Sequence, residues 1–402
     1  MKTPLGILNL WHQQAKTLVS IGGVAFALLL VFMQLGFMGS VSHTATNVLD
    51  NLRFDVLVRA RDYLHLYEPS QFERKWLQVA ASTGGVSAAK PLWITIHSWR
   101  KLPTESESQT SDFETQYLPI AVMAFATQDE VFKLESVISQ QSKLNSGREV
   151  LLDTSTHRDY GPWDGWKFGV SDIDRTTEMG GETFSIGGVF NLGTGLAANG
   201  AAIVSQQGFA HIVSWDSDRY TSLGLVDLDS DANVDDVLVE LRKRFHVGDN
   251  DSQSTAVDVL SRAEAMDRER SRWLFQTPIG LIFQLGVAIS LLVGAAIVYM
   301  VLATDVANRL PEYATLLAMG YSRKYLASIV MTQAVILCFC GFLVAWAAAE
   351  LLYQLTSYLS GIQVAMNSER VVSVLAMGLA MSCCSGLLAL RKLWKAEPAS
   401  LF

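Results

Sequence analysis

Four runs of this chain are long, apolar and nearly free of charge, and few folds accommodate that pattern. They are residues 18–40 (LVSIGGVAFALLLVFMQLGFMGS), 279–302 (IGLIFQLGVAISLLVGAAIVYMVL), 326–349 (LASIVMTQAVILCFCGFLVAWAAA) and 371–390 (VVSVLAMGLAMSCCSGLLAL). At a helical rise of about 1.5 Å per residue, each is about long enough to cross the hydrocarbon core of a bilayer. Hydrophobic residues make up 50% of the chain. Ordinary soluble domains reach a similar fraction, so the distribution carries the argument and the total does not. The expectation is an α-helical membrane protein with four transmembrane helices and a large α+β extracytoplasmic domain between the first and second.

The first run is read as an uncleaved span. It exceeds the usual signal-peptide core of about 7–15 residues, and no clear small-x-small site ends it. Gly36, Gly39 and Ser40 only imitate one. Lys and Arg in short flanks set the orientation. Lys2 and Lys16 precede the first span, Arg309, Arg323 and Lys324 follow the second, and Arg391, Lys392 and Lys395 follow the fourth. The 351–370 loop carries only Arg370, at its edge. This bias places the N- and C-termini and the 304–325 loop in the cytoplasm, and the insert 41–272 outside. Trp273 and Phe275 fit the outer interface, and Trp11 and Trp394 the inner one.

The insert holds 22 basic and 34 acidic residues, a net charge of −12, against +4 for the rest of the chain. An acidic external domain without a basic stripe argues against nucleic acid as a partner. Cys338, Cys340, Cys383 and Cys384 all lie inside the spans, so the external fold needs no disulfide. They read as small packing residues and not as metal ligands.

The insert, 232 residues long, can hold one or two cores. Strands are expected at 54–58, 92–96, 118–125, 149–152, 184–190, 202–205, 223–228 and 255–259. A helix is expected over 70–80, with Phe72, Trp76 and Val79 on one face. The polar stretch 104–115 reads as an exposed hairpin tip or loop. Residues 233–245 (NVDDVLVELRKRF) form an amphipathic helix capped by Asn233, acidic in its first turn and basic in its last. Residues 227–238 imitate a calcium loop but place Ala232 where Gly and Leu238 where Glu are needed. Gly193-Thr194-Gly195 lacks the third glycine and the helix of a dinucleotide loop. Residues 262–275 are expected to run as a charged helix straight into the second span.

Signatures of chemistry are missing. The sequence contains no Walker A loop, Gly-x-Ser-x-Gly, His-Glu-x-x-His or paired Cys-x-x-Cys. Gln34, Gln284 and Gln333 occur one per span and are expected to hydrogen-bond between helices or between subunits. With no ionisable group in mid-span, a substrate channel through the four helices is not the favoured reading. The segment 308–325 (NRLPEYATLLAMGYSRKY) is then the most informative: an amphipathic helix of about four turns between two spans. Its apolar positions Leu310, Tyr313, Ala314, Leu317 and Met319–Gly320 call for a partner surface.

The chain resembles the FtsX-like permeases of ABC systems, the group that includes MacB and the LolC/LolE proteins. Within that group it is most similar to the DevC subfamily. The resemblance rests on residues 277–283 (TPIGLIF), 304–306 (TDV), 310–316 (LPEYATL), 318–321 (AMGY), 389–392 (ALRK), 396–399 (AEPA) and 401–402 (LF), with 32–37 (FMQLGF) in the first span. It covers the whole chain and is more specific in the membrane half. It implies a MacB-like periplasmic domain and a coupling helix in the 304–325 loop, seated in a groove of a separate cytoplasmic ATPase. The coupling residues it implies are Arg309, Pro311, Glu312, Leu316, Met319, Gly320 and Tyr321.

It further implies a non-catalytic permease that binds no cofactor itself, with ATP and Mg on the partner ATPase. The implied partners are a second copy of the chain, a membrane-fusion adaptor and an outer-membrane channel. The location implied is the bacterial inner membrane. The expected division is 1–17 cytoplasmic, 18–40 first span, 41–272 periplasmic domain ending in a stalk helix, 273–303 second span, 304–325 coupling loop, 326–350 third span, 351–370 periplasmic loop, 371–390 fourth span and 391–402 cytoplasmic tail. Export of a lipid-like or other amphipathic substrate is the leading function. An FtsX-like regulator that activates a periplasmic cell-wall hydrolase, and a membrane receptor or lipid-binding scaffold without an ATPase, are the alternatives.

Overall fold

The computed structural model describes residues 14–109, 115–193, 195–245, 257–360 and 364–395. It begins with helix α1 (Gln14–Asn51), strands β1 (Val56–Ala60) and β2 (Phe72–Glu73), and helix α2 (Lys75–Ala81). Next come β3 (Val86–Arg100), β4 (Tyr117–Phe125), the single-turn α3 (Glu135–Ile138), β5 (Glu149–Asp153), β6 (Thr176–Met179), β7 (Glu182–Phe190) and β8 (Ala201–Ser205). These are followed by α4 (Gln206–Ile212), β9 (Tyr220–Thr221), β10 (Leu223–Leu228), α5 (Val234–Arg244), β11 (Val257–Ser261) and α6 (Arg262–Phe275). Four further helices follow: α7 (Pro278–Asn308), α8 (Leu310–Ala318), α9 (Arg323–Ser360) and α10 (Ser368–Lys395). The chain divides into two units, one of Val41–Trp273 and one of Met1–Ser40 with Leu274–Phe402.

In the first of these, nine strands form one sheet in the order β11-β1-β10-β3-β4-β8-β5-β7-β6, and β2 pairs with β9 apart from it. β3 is 15 residues long and serves β10 along 86–92 and β4 along 92–100. A bridge from Trp99 to Met179 returns the far strand, β6, to β3, so β3, β4, β8, β5, β7 and β6 close into a ring. Both faces of the central strands are covered. Ile120, Val122 and Ala124 of β4 pack with Val150, Phe184 and Phe209. The alternate residues Ala121, Met123 and Phe125 pack with Leu57, Leu151 and Leu225. A strand buried on both sides reads as a continuous apolar run, which is why these strands are visible in the sequence. At the other end of the sheet, Val56, Val226 and Val259 pack against Leu77 of α2 and Leu241 of α5.

The local chemistry explains most boundaries. Asn233 caps α5, its Oδ1 accepting from the Asp235 amide at 2.9 Å, as the sequence predicts. The helix expected over 70–80 is shorter. Ser70 takes a left-handed φ of 58°, and Phe72 enters β2 instead, so the helix starts only at Lys75. Strand β6 and helix α4 were not expected. Of the polar stretch 104–115, residues 110–114 lie outside the described residues; Glu107–Gln109 form a single 3-10 turn. Thr194 also lies outside them, as do Trp11 and residues 255–256 at the start of the strand expected there.

Among the described residues, four helices are long and apolar enough to cross a membrane: Thr17–Asn51, Pro278–Asn308, Arg323–Tyr358 and Ser368–Arg391. The core of the helical unit is a helical-period set: Val24, Leu28 and Val31 of α1, Val298, Leu302 and Val306 of α7, Leu326, Val330 and Ala334 of α9, and Val374 and Met381 of α10. Close approach is achieved at glycines. A Cβ on Gly294 would lie 2.5 Å from Met381 Sδ, and one on Gly36 would lie 2.6 Å from the Tyr353 ring. Tyr353 uses that notch to donate its hydroxyl to the Phe32 carbonyl.

Two expectations are corrected here. The charged helix α6 does not run into the second span, because it stops at Phe275 and α7 starts at Pro278. Thr277 between them is extended, with φ −109° and ψ 154°, and a proline in the first helical turn can neither donate nor extend a preceding helix. The Leu274 carbonyl accepts instead from Gln284 Nε2 at 2.8 Å. Trp273 is not an interfacial anchor: it is 7% exposed and donates its indole N–H to Glu269 within its own unit. Of the three span glutamines, Gln333 bonds from α9 to Asp305 of α7, Gln284 bonds from α7 to the Leu274 carbonyl of α6, and Gln34 Oε1 is buried without a hydrogen-bond partner among the described residues.

Candidate functional site

The turn from α7 through α8 into α9 is set by local chemistry. Arg309, with φ −104° and ψ 10°, ends α7 and precedes α8. Pro311 follows in the first turn of α8, where its missing N–H costs nothing and where it stops α7 from continuing. Glu312 in the same turn faces the positive helix end. At the far end Gly320 is left-handed, with φ 88°. Its amide donates to the Leu317 carbonyl, and the Tyr321 amide to the Leu316 carbonyl, both at 3.0 Å. This is the Schellman pattern that a glycine makes accessible. Ser322 then caps α9, with Oγ accepting from the Tyr325 amide at 3.3 Å.

The helix is therefore nine residues long, not the four turns expected. Its apolar face is largely covered by the chain itself. Tyr313 and Ala314 are buried, and Leu310, Leu316 and Leu317 pack against the helical core. What remains open is a narrower strip. Pro311, Glu312, Thr315, Ala318 and Met319 recur at helical spacing on the exposed side, and Tyr321 extends it. Met319 is 63% and Tyr321 43% exposed, and the Tyr321 ring stacks on Tyr325 with centroids 5.2 Å apart.

Of the seven residues singled out from the sequence, Pro311, Glu312, Met319, Gly320 and Tyr321 lie on the open side. Leu316 is half-buried, and Arg309 is turned inward. Arg309 Nε donates to Asp305 Oδ1 at 2.9 Å, and its Nη1 lies 3.5 Å from Glu312 Oε2. The second oxygen of Asp305 accepts from Gln333 Nε2 of α9 at 3.1 Å. Burial, and then the Asp305 charge, push the Tyr313 phenol up to about 12. Asp305 and Thr315 lie in the segments 304–306 and 310–316 that carry the resemblance, but not among the coupling residues it implies. The acid–base pair at i and i+4, Asp305 with Arg309, was the available signal for the first. Among the described residues no group of three or more His, Cys, Asp or Glu could hold a metal ion.

Residues 285–398, which take in most of α7, all of α8 and α9 and the described part of α10, match the family described as FtsX-like permease C-terminal. This segment is an FtsX-like permease C-terminal domain. The turn from α7 through α8 into α9, an elbow, lies wholly within the FtsX-like segment, and the four apolar helices together with that domain mark a membrane protein. No match was found among curated proteins. Among solved structures, the chain is similar to the extracellular domain of the noncanonic ABC-type transporter YknZ from Gram-positive bacteria. That likeness has 13% identity and a TM-score of 0.33, over 52% of this chain and 99% of that one. It is also similar to the periplasmic region of MacB from Actinobacillus actinomycetemcomitans, at 6% identity and a TM-score of 0.32, over 53% of this chain and 91% of that one.

Proposed function

We propose that this chain is the permease subunit of an ABC exporter, and that α8 is where it receives the motion of a separate ATPase. The observation that carries the reading is the open strip Pro311, Glu312, Thr315, Met319 and Tyr321, held in a fixed turn between two spans inside the FtsX-like segment. The strip combines a carboxylate with a thioether and an aromatic ring, a mixture suited to a small protein interface. The chain itself performs no catalysis in this reading. ATP and Mg belong to the partner, and a second copy of the chain meets the second groove of the ATPase dimer. The N- and C-termini and α8 face the cytoplasm of a bacterium, the chain sits in its inner membrane, and the unit Val41–Trp273 lies in the periplasm. There it meets a membrane-fusion adaptor that leads to an outer-membrane channel, and the cargo is lipid-like or otherwise amphipathic.

Affinity capture of the tagged full-length chain from its native membranes tests this. The expected outcome is an ATPase together with an adaptor protein. Glu312→Arg combined with Tyr321→Glu should lower ATPase recovery by about tenfold or more, a cost of about 1.4 kcal/mol or more. Undiminished recovery would overturn the assignment of α8. Recovery of a cell-wall hydrolase in place of an adaptor would favour the regulatory alternative.

A further inference from the structure

Asp305 stands in the last turn of α7, where the negative end of the helix dipole disfavours a carboxylate. Its partners account for its place. One oxygen is held by Arg309 at 2.9 Å and the other by Gln333 at 3.1 Å. Arg309 reaches back to Asp305 and forward to Glu312 of α8, so its guanidinium spans the joint between the two helices. Gln333 comes from α9 and is 2% exposed; the Arg309 side chain is 10% exposed. Tyr313, buried on the inner side of α8, lies in the field of the same carboxylate. One group thereby joins the arm before the elbow, the elbow and the arm after it. Loss of the carboxylate takes one partner from an enclosed guanidinium and one from an enclosed amide, the costly kind of deletion.

We infer that Asp305 is the positioning residue of the elbow: it ties α8 to α7 and α9 so that the three move as one body. Its meaning for coupling rests on the function proposed above, but the tie itself does not. The charge on Asp305 matters because both Arg309 and Gln333 address it. A tie of this kind sets how much of a push on α8 reaches α9. Couplings between sites in proteins run from about 5-fold to 150-fold.

The test is hydrogen exchange on the full-length chain in lipid nanodiscs, alone and with the captured ATPase. Asp305→Asn should speed exchange of the amides from Tyr313 to Leu317 by about tenfold, while β4 keeps wild-type protection. Gln333→Leu, which leaves the ion pair in place, should give a smaller change at the same amides. Asp305→Glu should recover part of the protection. With ATPase present, Asp305→Asn should retain capture within about twofold, yet the ATP-dependent change in α9 protection should fall by about tenfold. Wild-type exchange in α8 for both Asp305→Asn and Gln333→Leu would overturn the tie. Should Asp305→Asn fail to fold, Gln333→Leu decides alone. If the wild-type chain captures no ATPase, the coupling function falls, and the exchange of α8 still decides the tie.

Discussion

The guanidinium of Arg262 donates to the carbonyl oxygen of Leu49 at 2.8 Å. The same side chain also reaches the carbonyls of Asp50 and Leu52, each at 3.0 Å, and of Phe54 at 3.2 Å, and it lies 4.5 Å from the centre of the Phe54 ring. Helix α1 ends at these residues and has no basic side chain in its own last turn. A helix end leaves its final carbonyls unpaired and presents the negative end of its dipole. Here a cation from the first turn of α6 fills both needs.

Arg262→Ala should therefore destabilise the unit Val41–Trp273 by roughly 3 kcal/mol, because several carbonyls lose a charged donor together. Arg262→Lys should recover less than half of that, since an ammonium lacks the planar fork that reaches four acceptors. Thermal unfolding of the full-length protein, with exchange read at residues 45–54, would measure both. Equal stability of the lysine and wild-type proteins would refute the fork.

A second cluster turns on Glu269, which is 2% exposed. Oε1 accepts from the Leu66 amide at 3.0 Å and the Trp273 indole at 3.1 Å; Oε2 accepts from the Tyr63 hydroxyl at 2.7 Å. Burial first, and Glu269 next, raise the Tyr63 phenol well above its ordinary range. Glu269→Gln keeps one oxygen for two donors, and its amide can donate to the Tyr63 oxygen, so a cost of only about 1 kcal/mol is expected. Glu269→Leu strands all three donors and should cost roughly 3 kcal/mol or more. Equal losses for Gln and Leu would show that the charge, and not acceptor count, matters.

Acid should weaken the same region. His65 packs 5.1 Å from the Trp273 ring, and burial lowers its pKa against the opposing pull of Glu269 and Glu68, with Arg272 adding to the lowering. A histidine with a depressed folded pKa binds fewer protons than its unfolded form as the pH falls below about 6.5. Its contribution to stability is complete above that value and is lost on the way down to the folded pKa. The melting temperature of the wild type should drop between pH 7.5 and pH 5.5 by more than that of His65→Gln. Parallel profiles would exclude His65 as the source.

Gly320 isolates a purely conformational effect. A Cβ there would meet nothing within 4 Å, and the backbone is at φ 88°. Gly320→Ala should cost about 1 kcal/mol from the left-handed backbone alone. It should also speed exchange of the Tyr321 amide, whose hydrogen bond depends on that turn. An unchanged protein would mean that the elbow takes its shape from packing and not from the glycine.

The spans are legible in the sequence because each is a long apolar run, and the central strands because each is an apolar run covered on both faces. The hairpin of β6 and β7 is less so. Its strand TTEM carries little apolar signal, yet Gly180-Gly181, with φ 64° and 85°, form the two-residue turn that such dipeptides favour. Helix α4 is hidden by Gly208, which lowers helical propensity but avoids crowding the Gly147 carbonyl, 3.2 Å from where a Cβ would stand. At the elbow the residue types are readable and the burial is not. Nothing in the order of residues 308–325 reveals that Tyr313 turns inward while Met319 stays open, because that depends on where α9 returns. Arg262 and Glu269 read as members of a solvated stalk, since their partners lie about 200 positions away in the chain.

The elbow is closed by its own backbone: a proline that starts α8, a glycine that stops it and a serine that starts α9. A surface fixed in this way exists before anything rests on it. A partner that met the open strip would therefore find it already ordered, and little disorder would be surrendered on docking.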